Sequence, residues 1–165
     1  MKTKVLPSPV GELTLVANDR GLRAVLWADD DGRVRIPDDE LDGNPAEAER
    51  IVEMAAAQLE EFFEGSRTEF DVPLDPHGTP FQLSAWETLR TIPFGQTMSY
   101  GEQARTMGDP NKARAVGSAN GRNPLSIIVP CHRVVGSNGH LTGFGGGLTA
   151  KAWLLDHEKQ VLAAG

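Results

Sequence analysis

Near residue 75 the hydrophobic rhythm of the chain changes, and a break rich in proline and aspartate marks the place: Asp71-Val72-Pro73-Leu74-Asp75-Pro76-His77-Gly78. Upstream, short runs suited to strands (Lys4-Val5-Leu6, Glu12 to Val16, Leu22 to Trp27) are separated by turn residues, Pro9 and Gly11 first and then Asn18-Asp19-Arg20-Gly21. That spacing predicts a small antiparallel meander. An acidic loop at 29–44 follows, then a helix over 45–64 whose stripe is Ile51, Met54, Ala55, Leu59, Phe62 and Phe63, with Gly65 as its stop. Downstream the punctuation is helical. Thr79-Pro80-Phe81-Gln82 and Ser99-Tyr100-Gly101-Glu102 are both capping boxes, the second opening a helix to about Met107. Asp109-Pro110 caps a third helix over 110–120, which completes a helix-turn-helix. The expected fold is α/β of the α+β kind. A sheet-and-helix lobe spans 1–75, and a helical lobe with the helix-turn-helix spans 79–165.

Charge divides at the same break. The net charge is −7, yet residues 1–80 hold 8 Lys/Arg against 18 Asp/Glu while residues 81–165 hold 8 against 5. Lys112, Arg114, Arg122 and Arg133 follow one another with no acid between them. Such a run is either a solvated helix face or a surface for phosphates, and helical hairpins occur in many proteins that never meet DNA. The 110–120 helix is otherwise small: Ala113, Ala115, Gly117, Ser118 and Ala119 lead into Asn120-Gly121. Small residues permit close approach either to a neighbouring helix or to a groove of a duplex, with Arg114 the one long side chain among them.

Cys131 is the chain's single cysteine and stands in Pro130-Cys131-His132-Arg133. The apolar run Ser126-Ile127-Ile128-Val129 before it reads as a buried strand that ends on the thiol. Only a thiolate attacks electrophiles well, and a neighbouring imidazole helps to form one. A lone buried cysteine is also a common small hydrophobe, so these residues alone leave both readings open. One cysteine excludes an internal disulfide and a multi-cysteine zinc cluster, which suits a reducing compartment. The basic N-terminus is interrupted by Pro7, and no run approaches the length of a membrane span, so a cytoplasmic protein is expected.

Together these stretches resemble a known family. Ile128 to Val135, preceded by Ala113-Arg114-Ala115-Val116-Gly117 and Arg122-Asn123-Pro124, is similar to the O6-alkylguanine-DNA alkyltransferases. So are Ser99-Tyr100-Gly101-Glu102, Gly145-Gly146-Gly147-Leu148 and Lys151-Ala152-Trp153-Leu154-Leu155. The similarity runs in order through about half of the chain, and the first half resembles the family's first lobe in layout.

The resemblance implies a site. An alkyl group would pass once and irreversibly from O6 of guanine in duplex DNA, with O4-alkylthymine a further candidate, to Cys131 after the nucleotide is flipped from the stack. His132, through a water, would take the thiol proton, and Glu158 would orient the imidazole. Glu158 is placed for this on a last helix behind a Thr149 cap, on one face with Leu154 and Lys151, whereas His157 is assigned to packing or surface. Tyr100 would donate to N3 of the leaving base. Asn123 would brace the active-site turn, a role compatible with an ordinary Asx turn before Pro124. Arg114 would fill the space left by the flipped nucleotide; Ala113, Ala115 and Gly117 would allow close approach, and Lys112 and Arg122 would meet DNA beside them. Phe144 and the Gly145 N–H would line the base pocket, within a glycine-dense loop at 136–147 that is expected to be mobile.

Two departures from the family pattern matter. Phe144 stands where relatives often have Tyr, so the contact that hydroxyl would make is lost. The structural zinc of some relatives has no cysteine to hold it, since Cys131 is committed, and neither metal nor cofactor is expected. The expected partner is double-stranded DNA bearing O6-alkylguanine. The protein is expected to be a monomer, with cooperative assembly on DNA left open. Two other classes compete: a damage-sensing DNA-binding module that needs no Cys131, and a turnover thiol hydrolase that needs no Arg114.

Overall fold

A computed structural model describes every residue except 30–35, 37–42, 138, 140–143 and 145. The acidic loop expected at 29–44 lies mostly outside the described residues, as do Gly145 and much of the loop around it.

Strands β1 (Lys2–Leu6), β2 (Leu13–Ala17) and β3 (Leu22–Trp27) form the antiparallel meander in the order β1-β2-β3. Leu13 and Leu15 point to one face and are fully buried, as period-2 alternation requires. Helix α1 (Pro45–Glu64) covers that face with Ile51, Val52, Ala55, Leu59 and Phe62. Each large apolar side chain buried there contributes ~1.5–3 kcal/mol. Asn44 caps α1 by accepting from the Ala46 and Glu47 N–H groups, and Gly65 ends it at φ 89, a left-handed conformation costly for other residues.

The linker does not hang free. Leu22 N donates to Pro73 O at 2.8 Å and Asp75 N to Leu22 O at 2.9 Å, so the linker runs beside β3. Asp75 Oδ2 also accepts from Asn18 Nδ2 at 2.8 Å and Arg20 Nε at 3.3 Å, both on the β2–β3 turn. Burial would raise the Asp75 pKa, but bonds from Asn18 and His77 overrule it and hold it low.

Helix α2 (Pro80–Leu89) opens on the Thr79/Gln82 capping box and α3 (Tyr100–Thr106) on the Ser99/Glu102 box, with both reciprocal bonds present in each. The third helix differs from expectation. Asp109 caps a single 3-10 turn, Pro110–Lys112, and only then does α4 (Ala113–Gly121) begin. Three buried polar contacts fix α4: Trp86 Nε1 donates to Ala119 O at 2.8 Å, and Gln103 and Asn120 exchange amide bonds at 3.1 and 2.8 Å.

A short parallel pair, β4 (Met98–Ser99) with β5 (Val134–Val135), and helix α5 (Leu148–Ala164) complete the described elements. The Thr149 cap is not found: α5 begins at Leu148, so Thr149 lies inside the helix, and the cap position falls on Gly147, which has no side chain to bond and holds φ 88, a conformation glycine enters cheaply. Apolar packing is continuous across the linker, from Leu6 and Phe62 to Val134 and Leu154.

Candidate active site

The segment before Cys131 is not the buried strand that its apolarity suggested. Val129 N donates back to Leu125 O at 2.8 Å, and Ile127 holds φ 77, the one positive φ among described residues other than glycine. Left-handed backbone at a β-branched residue costs of order 1–3 kcal/mol and persists only where its surroundings enforce it. Asn123 is one enforcer: its Oδ1 accepts from Leu125 N at 3.0 Å and its Nδ2 donates to Val129 O at 2.8 Å. The buried Ile127 side chain is another. Residues 131–133 then form one 3-10 turn, which puts Cys131 and His132 on consecutive corners of a rigid bend.

Cys131 is 7% exposed. Burial pushes its thiol pKa up, against hydrogen bonds from Asn123 and Ser126 and the nearby Lys151 charge, so the resting group is a thiol. His132 is fully buried, and its Nε2 lies 2.7 Å from Glu158 Oε2. Glu158 is also fully buried and accepts from Arg133 Nε at 3.0 Å, Arg133 Nη2 at 2.9 Å and Gly95 N at 2.9 Å. Burial would raise the Glu158 pKa; the bonds and charges of His132 and Arg133 win and lower it to about 2. A carboxylate only accepts, so Nε2 must carry the imidazole proton. Burial keeps His132 neutral, its pKa pushed below the usual value, although Glu158 pulls the other way. The basic lone pair is therefore on Nδ1, which is buried and has no hydrogen-bond partner among the described residues.

Two residues of this cluster were not foreseen. Arg133, grouped with the phosphate-facing cations from sequence, is buried and spends its guanidinium on Glu158 and on Ile92 O at 2.7 Å. The surface cations of that run are Lys112, Arg114 and Arg122. Lys151 is fully buried, donates to Val134 O at 2.6 Å and lies 6.0 Å from the centre of the Tyr100 ring. Burial lowers its pKa, while Cys131 opposes the shift. Its spacing with Leu154 and Glu158 was the available signal, and all three are buried on one face of α5. His157 faces the other way, with Nε2 2.7 Å from Phe62 O and its ring stacked on Trp153.

The remaining expected residues fall into two groups. Tyr100, half-buried at the start of α3, packs near Gly117 of α4, where an added Cβ would sit 3.7 Å from its ring. Tyr100 and Lys151 thus connect the thiol's surroundings to α4. On α4 itself Arg114 and Ala115 are exposed, Ala113 and Gly117 half-buried, with Lys112 and Arg122 exposed at its ends. Phe144 is buried against Trp27, ring centroids 5.4 Å apart. Gly145 lies outside the described residues. A buried neutral thiol, a neutral imidazole with its lone pair free, and a charged carboxylate behind the imidazole form a set able to deprotonate sulfur on demand.

Comparison with known proteins bears on the same segments. Residues 80–160 match the family model described as 6-O-methylguanine DNA methyltransferase, DNA binding domain, and residues 1–76 match its ribonuclease-like domain. A Methanosarcina acetivorans methylated-DNA–protein-cysteine methyltransferase is 44% identical over 154 residues, covering 93% of this chain and 96% of its own. The protein of that name from Mycobacterium bovis is 58% identical over 105 residues, 64% of each chain. The crystal structure of Mycobacterium tuberculosis OGT in complex with DNA superposes with a TM-score of 0.82 at 45% identity, covering 96% of this chain and 93% of that one.

Proposed function

The chain belongs to the 6-O-methylguanine DNA methyltransferase family and repairs DNA by moving an alkyl group onto its own cysteine, and we propose that Cys131 is the acceptor, with His132 its base. The observation that carries this assignment is the fully buried His132–Glu158 pair at 2.7 Å, which leaves the Nδ1 lone pair next in sequence to the only thiol.

The chemistry follows from the geometry. The thiol proton passes through a water to His132 Nδ1, and Glu158 stabilises the imidazolium so formed. The sulfur attacks the alkyl carbon in line; the S–C bond forms as the C–O6 bond breaks. Guanine leaves with its electron pair, and Tyr100 gives a proton to N3 to quench the charge. The product thioether is stable, so each molecule reacts once. Asn123 keeps the turn, and hence the sulfur, aimed at the base.

DNA is the partner. Guanine alkylated at O6, flipped from the duplex, is the substrate we assign, with O4-alkylthymine as a second candidate. Arg114, exposed among small residues on α4, fills the gap left in the stack, while Lys112 and Arg122 hold flanking phosphates. In this scheme residues 79–165 form the DNA-binding and acceptor lobe, residues 1–75 support it, and the protein acts as a monomer in the cytoplasm. Phe144 walls the pocket by packing alone. Among the described residues no helix is long and apolar enough to cross a membrane.

Incubation with an O6-methylguanine duplex, followed by intact-protein mass spectrometry and peptide mapping, tests the assignment. One methyl group on Cys131 is expected, with none in Cys131→Ala. A wild-type protein that binds the duplex without gaining mass would mark a binding module instead, and repeated turnover on an ester would mark a hydrolase.

A further inference from the structure

His157 on α5 has no part in the scheme above, yet it adjoins Glu158 in the chain and points to a different part of the molecule. Successive helical residues stand about 100° apart, so one turn of α5 presents Glu158 to His132 and His157 to α1. His157 Nε2 lies 2.7 Å from Phe62 O, in the last turn of α1 and 95 residues away. A carbonyl only accepts, so Nε2 donates. It thereby serves one of the terminal carbonyls that a helix leaves without an intrahelical donor, alongside Gly65 N at 3.1 Å. The ring is fitted on two further sides: stacked on Trp153, one turn earlier on α5, at 4.8 Å and 15°, and edge-on to Phe62 at 5.3 Å and 61°. Phe62 also backs Arg133, the other partner of Glu158. Its ring meets Phe94 edge-on at 6.0 Å, and the Arg133 guanidinium lies 5.6 Å from the centre of the Phe94 ring.

A bond of 2.7 Å between His132 and Glu158 weakens once the carboxylate is displaced by more than a few tenths of an ångström. A helix advances about 1.5 Å per residue, so even a small slide or roll of α5 would open it. Lys151 on Val134 O steadies the start of α5, and His157 on Phe62 O ties down the turn that carries Glu158. We propose that His157 is a positioning residue for alkyl transfer: by docking α5 on the C-terminal end of α1, it sets the depth at which Glu158 meets His132. Residues before the linker thereby govern the strength of a base that lies beyond it. This deepens the reading of Cys131 as acceptor and His132 as its base, and rests on it.

The test is single-turnover transfer from an O6-methylguanine duplex to the full chain, followed across the histidine titration range at a temperature where circular dichroism shows each variant folded. His157→Gln and His157→Asn both lose the ring, but the Gln amide reaches as far as Nε2 does, while the Asn amide stops short of Phe62 O. A misplacement of about 1 Å remote from the chemistry can cost about a hundredfold, so the looser seat in His157→Asn should slow transfer by about tenfold or more. Burial already lowers the His132 pKa and Glu158 opposes it, so a carboxylate drawn away should move the acid limb to still lower pH. His157→Gln should recover most of the rate. A His157→Asn protein that melts earlier but keeps the wild-type rate and acid limb marks a packing residue and overturns the proposal. A His157→Gln protein as slow as His157→Asn overturns it too. Should His157→Asn fail to fold, His157→Phe decides by the same rate and limb, because it keeps the stack on Trp153 and cannot donate. Methyl gain on Cys131 in the wild type separates the two ideas. Without it the acceptor assignment and this proposal fall together; with it, unmoved variants remove this proposal alone.

Discussion

Glu158→Gln isolates the energetics of the buried cluster. A carboxyl whose pKa is brought from an ordinary 4.5 to about 2 favours its charged form by roughly 3 kcal/mol. Glutamine keeps the shape but removes the charge, leaving the Arg133 guanidinium buried without its counterion and His132 Nε2 without its acceptor. Breaking one side of a buried pair costs about 3–5 kcal/mol, in the same range. Urea unfolding at pH 7 should therefore show a loss of about 3 kcal/mol, equivalent to roughly 6–12 °C in Tm for a chain of this size. The sign with pH follows from the depressed folded-state pKa. The stabilisation is fully present above 4.5 and is lost as pH falls through 2. The gap between wild type and variant should thus shrink to under about 1 kcal/mol near pH 2.5. A loss at pH 7 below about 1 kcal/mol, or a gap that stays constant as the pH falls, would refute the ion pair as a stabilising unit. Transfer should also slow by about a hundredfold, the usual scale for general-base assistance.

Other expectations follow from the same site. Because burial lowers the His132 pKa and raises that of Cys131, base-assisted transfer should stay level from about pH 8 down to the ordinary histidine range and fall only below it. A pre-formed thiolate would instead give a tenfold rise per pH unit through neutrality, and stopped-flow transfer rates distinguish the two. Asn123→Ala removes the bonds to Leu125 N and Val129 O that hold the strained turn, and should cost about 1–3 kcal/mol by thermal unfolding while slowing transfer; unchanged kinetics would deny it an aiming role. Arg114→Ala should slow transfer from duplex DNA by the few kcal/mol that unstacking a base requires, yet leave the Tm alone because the side chain is exposed. Equal repair of the duplex by variant and wild type would remove Arg114 from the flipping step.

What the sequence made legible has a common cause. The α2 and α3 capping boxes and the Gly65 stop depend on neighbours within a few residues, and all three stand where they were expected. The turn at 126–129 was misread because Ile-Ile-Val is as apolar as a strand; what bends it is the Asn123 side chain, which reaches forward to Val129. Thr149 failed as a cap because α5 starts one residue before it, at Leu148, behind Gly147. Arg133 looked like a surface cation because its partner, Glu158, lies 25 residues away. His132 and Glu158 were named through family resemblance and helix register, since nothing in composition pairs them. His157 gave no local sign of its bond to Phe62 O, which only the folded chain brings near.

The helix carrying Arg114 is held by the Trp86 indole and by the paired amides of Gln103 and Asn120, all inside the protein. In the flipping role proposed for Arg114, a probe fixed in that way would not adapt to the duplex, so the nucleic acid would do the yielding. How readily a lesion is found should then depend on its flanking steps, with pliant pyrimidine–purine neighbours served sooner than stiff A-tracts. Replacing those buried amides with a looser pair would make the protein less particular about sequence and slower everywhere.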